Sequence, residues 1–162
     1  MRIRKTRIED LGEAERIYAN ARTFMVKTGN PGQWINGYPG HELLLEDIRR
    51  GEGYVCEDED GIQAVFMFFT GPEPTYAYIE DGSWPDDEPY GTVHRLASAG
   101  RRAGVGAFCL GWCLEQCGNL RVDTHRDNRP MQELLSRCGF TPCGRVYMED
   151  GSPRIAYYKK GI

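Results

Sequence analysis

Apolar residues recur at alternating steps of three and four from Leu11 through Ala14, Tyr18 and Ala21 to Met25, the spacing of one helical face. Thr6 and Glu9, at capping-box spacing, precede that helix, and a short strand near Arg2–Lys5 precedes them. Gly29-Asn30-Pro31-Gly32 stops it, and a shorter helix carrying Leu44, Leu45 and Ile48 ends at Gly51. Tyr54–Cys56 and Ile62–Thr70 read as hairpin strands around the acidic turn Glu57-Asp58-Glu59-Asp60-Gly61. The run Phe66-Met67-Phe68-Phe69 suits a strand covered on both faces. After Pro72 and Pro74, Tyr76–Ile79 reads as a further strand segment, and Gly82–Pro89 as an acidic loop holding Trp84. Thr92–Ala97 is predicted as a strand and Gly104–Cys117 as a helix apolar all round, hence central. Leu120–Thr124 is a strand, Asn128–Arg137 a helix, and Thr141–Met148 with Arg154–Lys159 a terminal hairpin. The order β-α-α-β-β-β-α-β-α-β-β predicts one mixed α/β sheet with helices on both faces.

The 162 residues contain no repeat, linker or low-complexity stretch, so residues 1–162 are expected to form a single domain. Hydrophobic residues at 40% and charged residues at 27% exclude a disordered polar chain. A net charge of -4 is a poor footprint for nucleic acid. No apolar run approaches the roughly 20 residues of a membrane span, and the basic start leads into no signal core, so no membrane and a cytoplasmic setting are expected. None of the six cysteines forms a C-x-x-C pair, which argues against a disulfide framework. Cys109, Cys113 and Cys117 stack at helical spacing among Phe108, Leu110, Trp112 and Leu114, as small core residues rather than metal ligands. No metal is expected.

The chemistry concentrates in Arg101-Arg102-Ala103-Gly104-Val105-Gly106, between a strand and an apolar helix. Glycines there let backbone N–H groups approach a ligand, and the helix start adds unpaired donors and a positive dipole end. Arg101 and Arg102 suit neutralisation of a diphosphate. The alternative is a plain glycine-rich turn with solvated arginines, since the pattern is neither the dinucleotide fingerprint nor the phosphate loop.

Downstream stand Asn128, Met131, Leu134-Leu135 and Gly139-Phe140. With Leu96-Ala97-Ser98 ahead of the Arg101–Gly106 loop, the chain resembles the GNAT superfamily of acyl-CoA-dependent N-acyltransferases along essentially its whole length. The resemblance implies a single mixed, mostly antiparallel sheet with splayed central strands. It implies acetyl-CoA as co-substrate, its pantetheine arm on the backbone of Leu96, Ala97 and Ser98 and its diphosphate on Arg101, Arg102, Ala103, Gly104, Val105 and Gly106, with Asn128 in the following motif. A strand N–H near Leu96 would polarise the thioester carbonyl, and a deprotonated primary amine of a small molecule or peptide would attack directly. Two departures stand out. The turn between Ser98 and Arg101 is two residues shorter than the common form, and Leu135 occupies the position of the tyrosine that protonates the leaving thiolate.

Tyr147, Cys138 or a water would replace that acid, although a thiol with a pKa of about 8.5 can leave unprotonated. His94, two residues before Leu96, is the candidate base, with Asp123 and His125 as rivals and Glu80 and Asp81 behind them. Either histidine can equally be structural. Trp34, Tyr78 and Trp84, with Gln33, Tyr38 and Tyr76, are candidates to frame an ammonium group, or they pack under loops. A homodimer is compatible with all of this. The rival functions are an acyl-CoA sensor on the same fold and a nucleotide-binding protein, the latter without a magnesium-ligating Ser or Thr after the glycines.

Overall fold

In the computed structural model, which describes residues 1–161, β1 (Arg2–Lys5) leads into a 3₁₀ turn at Ile8–Asp10 and then α1 (Leu11–Lys27). The cap differs from the expected Thr6–Glu9 pair. Asp10 accepts the Arg7 N–H at 2.7 Å and the two terminal guanidinium nitrogens of Arg4 at 2.8 and 3.0 Å, while the Thr6 hydroxyl is buried without a hydrogen-bond partner. The shorter acid wins because Arg4 on the adjoining strand holds it in place. Next come α2 (His41–Arg50) and the hairpin of β2 (Gly53–Asp58) and β3 (Gly61–Thr70). β4 (Gly91–Ser98), α3 (Val105–Cys117) and β5 (Asn119–Thr124) follow. The chain closes with α4 (Arg129–Arg137), β6 (Thr141–Tyr147) and β7 (Pro153–Lys160).

The strands form one seven-stranded mixed sheet ordered β1-β2-β3-β4-β5-β7-β6. β1–β2, β2–β3, β5–β7 and β6–β7 pair antiparallel, whereas β4 and β5 pair in parallel through Gly91↔Leu120 and Thr92↔Arg121. The chain divides into two compact units, Met1–Phe68 with His94–Cys109, and Phe69–Val93 with the residues from Leu110 onward.

In the first unit α1 and α2 bury Ala14, Ile17, Tyr18 and Leu44 with Val55, Ile62, Val65 and Ala97. Each large aliphatic side chain so buried contributes about 1.5–3 kcal/mol. In the second unit Tyr76, Val146 and Ala156 centre a cluster with Ile79, Trp84, Tyr90, Cys143 and Met148 around them. Tyr76–Ile79 is not a strand. Pro74 cannot donate to a ladder, and Pro74–Tyr76 instead forms a 3₁₀ turn capped by Glu73, whose side chain accepts the Thr75 N–H at 3.2 Å. Glu80 bridges β6, exchanging backbone hydrogen bonds of 2.9 and 2.8 Å with Arg145, and Ser83 N–H donates to Cys143 C=O at 3.0 Å. The following loop runs so close to β6 that a Cβ on Gly82 would stand 2.0 Å from the Cys143 oxygen.

Nor is α3 covered on every side. Val105, Cys109, Leu110 and Cys113 are buried, but Ala107, Phe108 and Gly111 are exposed. Two of those three are Ala and Gly, so an apolar composition all round overstates how much of the helix needs covering. Cys109 and Cys113 are core residues, and all six cysteines are free thiols.

Candidate functional site

β4 ends at Ser98, and the chain reaches α3 through a short turn in which Gly100 and Gly104 take φ of 77° and 78°. Only glycine adopts that conformation without penalty, so Gly104 lets the backbone reverse directly into the first helical turn. Ser98 braces the turn by accepting the Gly100 N–H at 3.1 Å, and Ala99 N–H donates to Gln63 C=O at 2.8 Å. Phe108 N–H makes the bond to Gly104 C=O, so Val105, Gly106 and Ala107 offer their N–H groups ahead of it at the positive end of the helix. A Cβ on Gly104 would meet nothing within 4 Å, so the space in front of the turn is open.

The two arginines beside the turn are not simply solvated. Arg102 donates to Asp58 at 2.7 Å, and Arg101 donates to the Ile62 carbonyl at 2.6 Å. Asp58 also accepts from Gln63 at 3.0 Å and from the Asp60 N–H at 2.9 Å. Chiefly through Arg102, its carboxyl is pulled down to about 2. Arg101, Arg102, Asp58, Glu59, Asp60 and Gln63 line an open hollow of about 530 Å³.

Along β4, Ala97 is buried and His94 and Leu96 are half-buried. Between them Arg95 sits in the left-handed region at φ 57°, in the interior of a strand. Such a residue costs of order 1–3 kcal/mol and persists only when its surroundings hold it. Here Tyr18 donates its hydroxyl to Arg95 C=O at 2.7 Å, and one guanidinium nitrogen reaches both oxygens of Asp47 at 2.7 and 2.6 Å. The other nitrogen donates to the Tyr38 hydroxyl at 3.3 Å. Burial pushes the Asp47 carboxyl up, with Arg95 and then His94 opposing it. Burial likewise raises the Tyr18 hydroxyl, which remains a donor. Trp34 packs edge-on between Tyr18 at 5.6 Å and Tyr38 at 6.5 Å. Sequence reasoning missed Asp47 and Arg95. The available signal was an acid three residues after Leu44 on the apolar face of α2.

In the second unit the rivals to His94 are occupied. Asp123 accepts the buried Tyr76 hydroxyl at 2.6 Å. His125 Nδ1 accepts the Asp127 N–H at 3.0 Å, which leaves its proton on Nε2, and burial followed by Arg154 lowers its pKa. Tyr147 donates to Glu80 at 2.5 Å, beside Tyr78 at 2.7 Å and Arg145 at 2.7 Å. These bonds, that from Tyr147 first, hold the Glu80 carboxyl below its usual range. Tyr78 stacks on Tyr147 at 6.3 Å, and Arg145 pairs with Asp81 at 2.6 Å. Glu80 and Asp81 are therefore partners in a network rather than solvated loop acids. Trp84 is spent on packing: its N–H donates to Tyr76 C=O at 2.9 Å, and Arg121 lies 4.4 Å over its ring. The cation that its ring carries is thus internal to the chain. Leu135 is fully buried, Cys138 is half-buried, and Asn128 caps α4 by accepting the Met131 N–H at 3.1 Å. Among the described residues no cluster of histidine, cysteine and acidic side chains could hold a metal, and no helix is long and apolar enough to cross a membrane.

No protein-family model and no curated protein sequence matches the chain. Solved structures do. A GNAT-family acetyltransferase from Streptococcus agalactiae superposes with a TM-score of 0.90 at 29% identity, over 99% of this chain and 95% of that one. A GNAT-family acetyltransferase from Listeria monocytogenes gives a TM-score of 0.71 at 16% identity, over 99% and 94%. The ribosomal-protein-alanine N-acetyltransferase of Brucella melitensis gives 0.62 at 18%, over 99% and 100%.

Proposed function

We propose that this chain, a member of the GNAT superfamily of acyl-CoA N-acyltransferases, moves an acetyl group from acetyl-CoA to a primary amine by direct attack in a ternary complex. The observation that carries the reading is the left-handed Gly104 turn, open in front, that delivers β4 into the N-terminus of α3. Successive N–H groups at a positive helix end suit a diphosphate. Arg101 and Arg102 lie beside it, and Arg102 would exchange its bond to Asp58 for a phosphate oxygen.

The pantetheine arm would run along Leu96–Ser98 as an added strand, bringing the thioester carbonyl to an N–H near Leu96. His94 would take the proton of the attacking amine, from its place on β4 two residues before Leu96. The C–N bond forms as the C–S bond breaks, and the thiolate leaves carrying its own charge, with Tyr147 committed to Glu80 and Leu135 apolar. The acceptor is a small molecule or peptide.

The test is release of free thiol from acetyl-CoA in the presence of a panel of primary amines, wild type against His94→Gln. The variant should lose about 10²–10⁴ in turnover while still being stabilised by CoA. The buried Leu135 favours a second reading, an acyl-CoA sensor without transfer. Tight acyl-CoA binding with no thiol release from any amine would establish it.

A further inference from the structure

Among the described residues, three that are not glycine have positive φ: Asn36, Asp81 and Arg95. Asparagine and aspartate tolerate that region, arginine does not, and only Arg95 occupies it inside a strand. A left-handed residue in a strand breaks the side-to-side alternation and turns the next peptide away from the regular ladder. The kink is tied down from three separate parts of the chain. α1 supplies the Tyr18 hydroxyl to the Arg95 carbonyl, α2 supplies both Asp47 oxygens to the guanidinium, and the segment between the helices supplies the Tyr38 hydroxyl. Tyr18 is 1% exposed and Asp47 7%, so neither is a surface contact that solvent would replace.

Burying an acid on the apolar face of a helix is costly unless it is paired, and the partner that the Asp47 carboxylate takes here is Arg95. That arginine is the residue immediately before Leu96.

We infer that Asp47 and Tyr18 are positioning residues: through Arg95 they hold the β4 kink that aims the Leu96 N–H at the thioester carbonyl. This rests on the transferase reading above. The physical demand is steep, since an oxyanion donor acts only within about 0.3 Å of its working distance and a displacement of about 1 Å costs roughly 10²-fold in rate. A kinked backbone without its ties relaxes toward a regular strand and loses that aim, while the glycine turn and its hold on the diphosphate stay intact.

The experiment uses the full chain labelled with ¹⁵N-leucine, with Leu96 assigned by substitution. The wild-type Leu96 amide should respond to acetyl-CoA beyond its response to CoA, because only the thioester brings a carbonyl. Tyr18→Phe keeps the packed ring and removes the donor; Asp47→Asn keeps the shape and removes the charge. Both should lose the acetyl-specific response, keep the CoA thermal shift, and drop kcat by about 10–100-fold with KM for acetyl-CoA within about threefold. Should Asp47→Asn fail to fold, Tyr18→Phe decides the matter. A wild type with no acetyl-specific response overturns both the transferase geometry and this proposal. A wild-type response that survives in Tyr18→Phe with kcat unchanged overturns the positioning role alone.

Discussion

Leu135, which the sequence resemblance sets at the position of a leaving-group acid, has a side chain that is 0% exposed in the core of the second unit. Leu135→Ala should therefore lower stability by about 2–5 kcal/mol in urea melts, through lost contacts and a cavity, with turnover at low temperature preserved. Leu135→Tyr should also destabilise, by about 1–3 kcal/mol, because no space exists for the larger ring. Full stability in either variant would mean the side chain is not packed as described. Asp47 and Arg95 make the opposite case. Their residue types are ordinary in the sequence, and their importance follows from burial and a φ angle that no residue type announces. His94 was readable as a candidate because it lies two places before Leu96. The partner of Asp123 was not, since the Tyr76 hydroxyl reaches it from 47 positions away, whereas the Asp127 N–H on His125 is a local contact.

At the level of elements, the turn from β4 into α3 binds chain geometry to ligand binding. Gly104→Val forces a β-branched residue to φ near 78° at about 1–2 kcal/mol and fills the open approach. The variant should fold, melt somewhat lower, and lose the stabilisation by CoA; a retained shift would move the diphosphate site elsewhere. The hairpin turn carries a separate prediction. Asp58 lies near 2 instead of its ordinary 3.8, chiefly because of Arg102, so the folded state binds that proton more weakly than the unfolded chain. The resulting stabilisation is complete above about pH 4 and disappears as the pH falls toward about 2. Arg102→Gln should lose it, so denaturant midpoints of variant and wild type should differ at neutral pH and converge near pH 2. A constant gap across that range would remove the ion pair as the cause.

For the molecule as a whole, a ligand that binds only the folded state stabilises it by mass action. Acetyl-CoA at about 100 times its Kd should add about 2.7 kcal/mol, visible as a rise of several degrees in melting temperature. No rise at millimolar acetyl-CoA would count against both the transferase and the sensor. At a net charge of -4 the chain should show no comparable stabilisation by oligonucleotides at low salt.

Local pattern was enough for the four α-helices and the seven strands among the described residues, because hydrophobic period, glycine stops and the Asn128 cap are properties of neighbouring residues. The Arg101–Gly106 turn belongs to the same class: a left-handed glycine beside a helix start is written into adjacent positions. Tyr76–Ile79 reads as a strand because it is a short continuous run of aromatic and apolar residues, while the proline and the close approach of Gly82 to β6 decide otherwise. The clamp on Arg95, the internal cation over Trp84 and the network around Glu80 join residues 37 to 77 positions apart. Such contacts depend on burial and distance in the folded chain, which residue order alone does not specify.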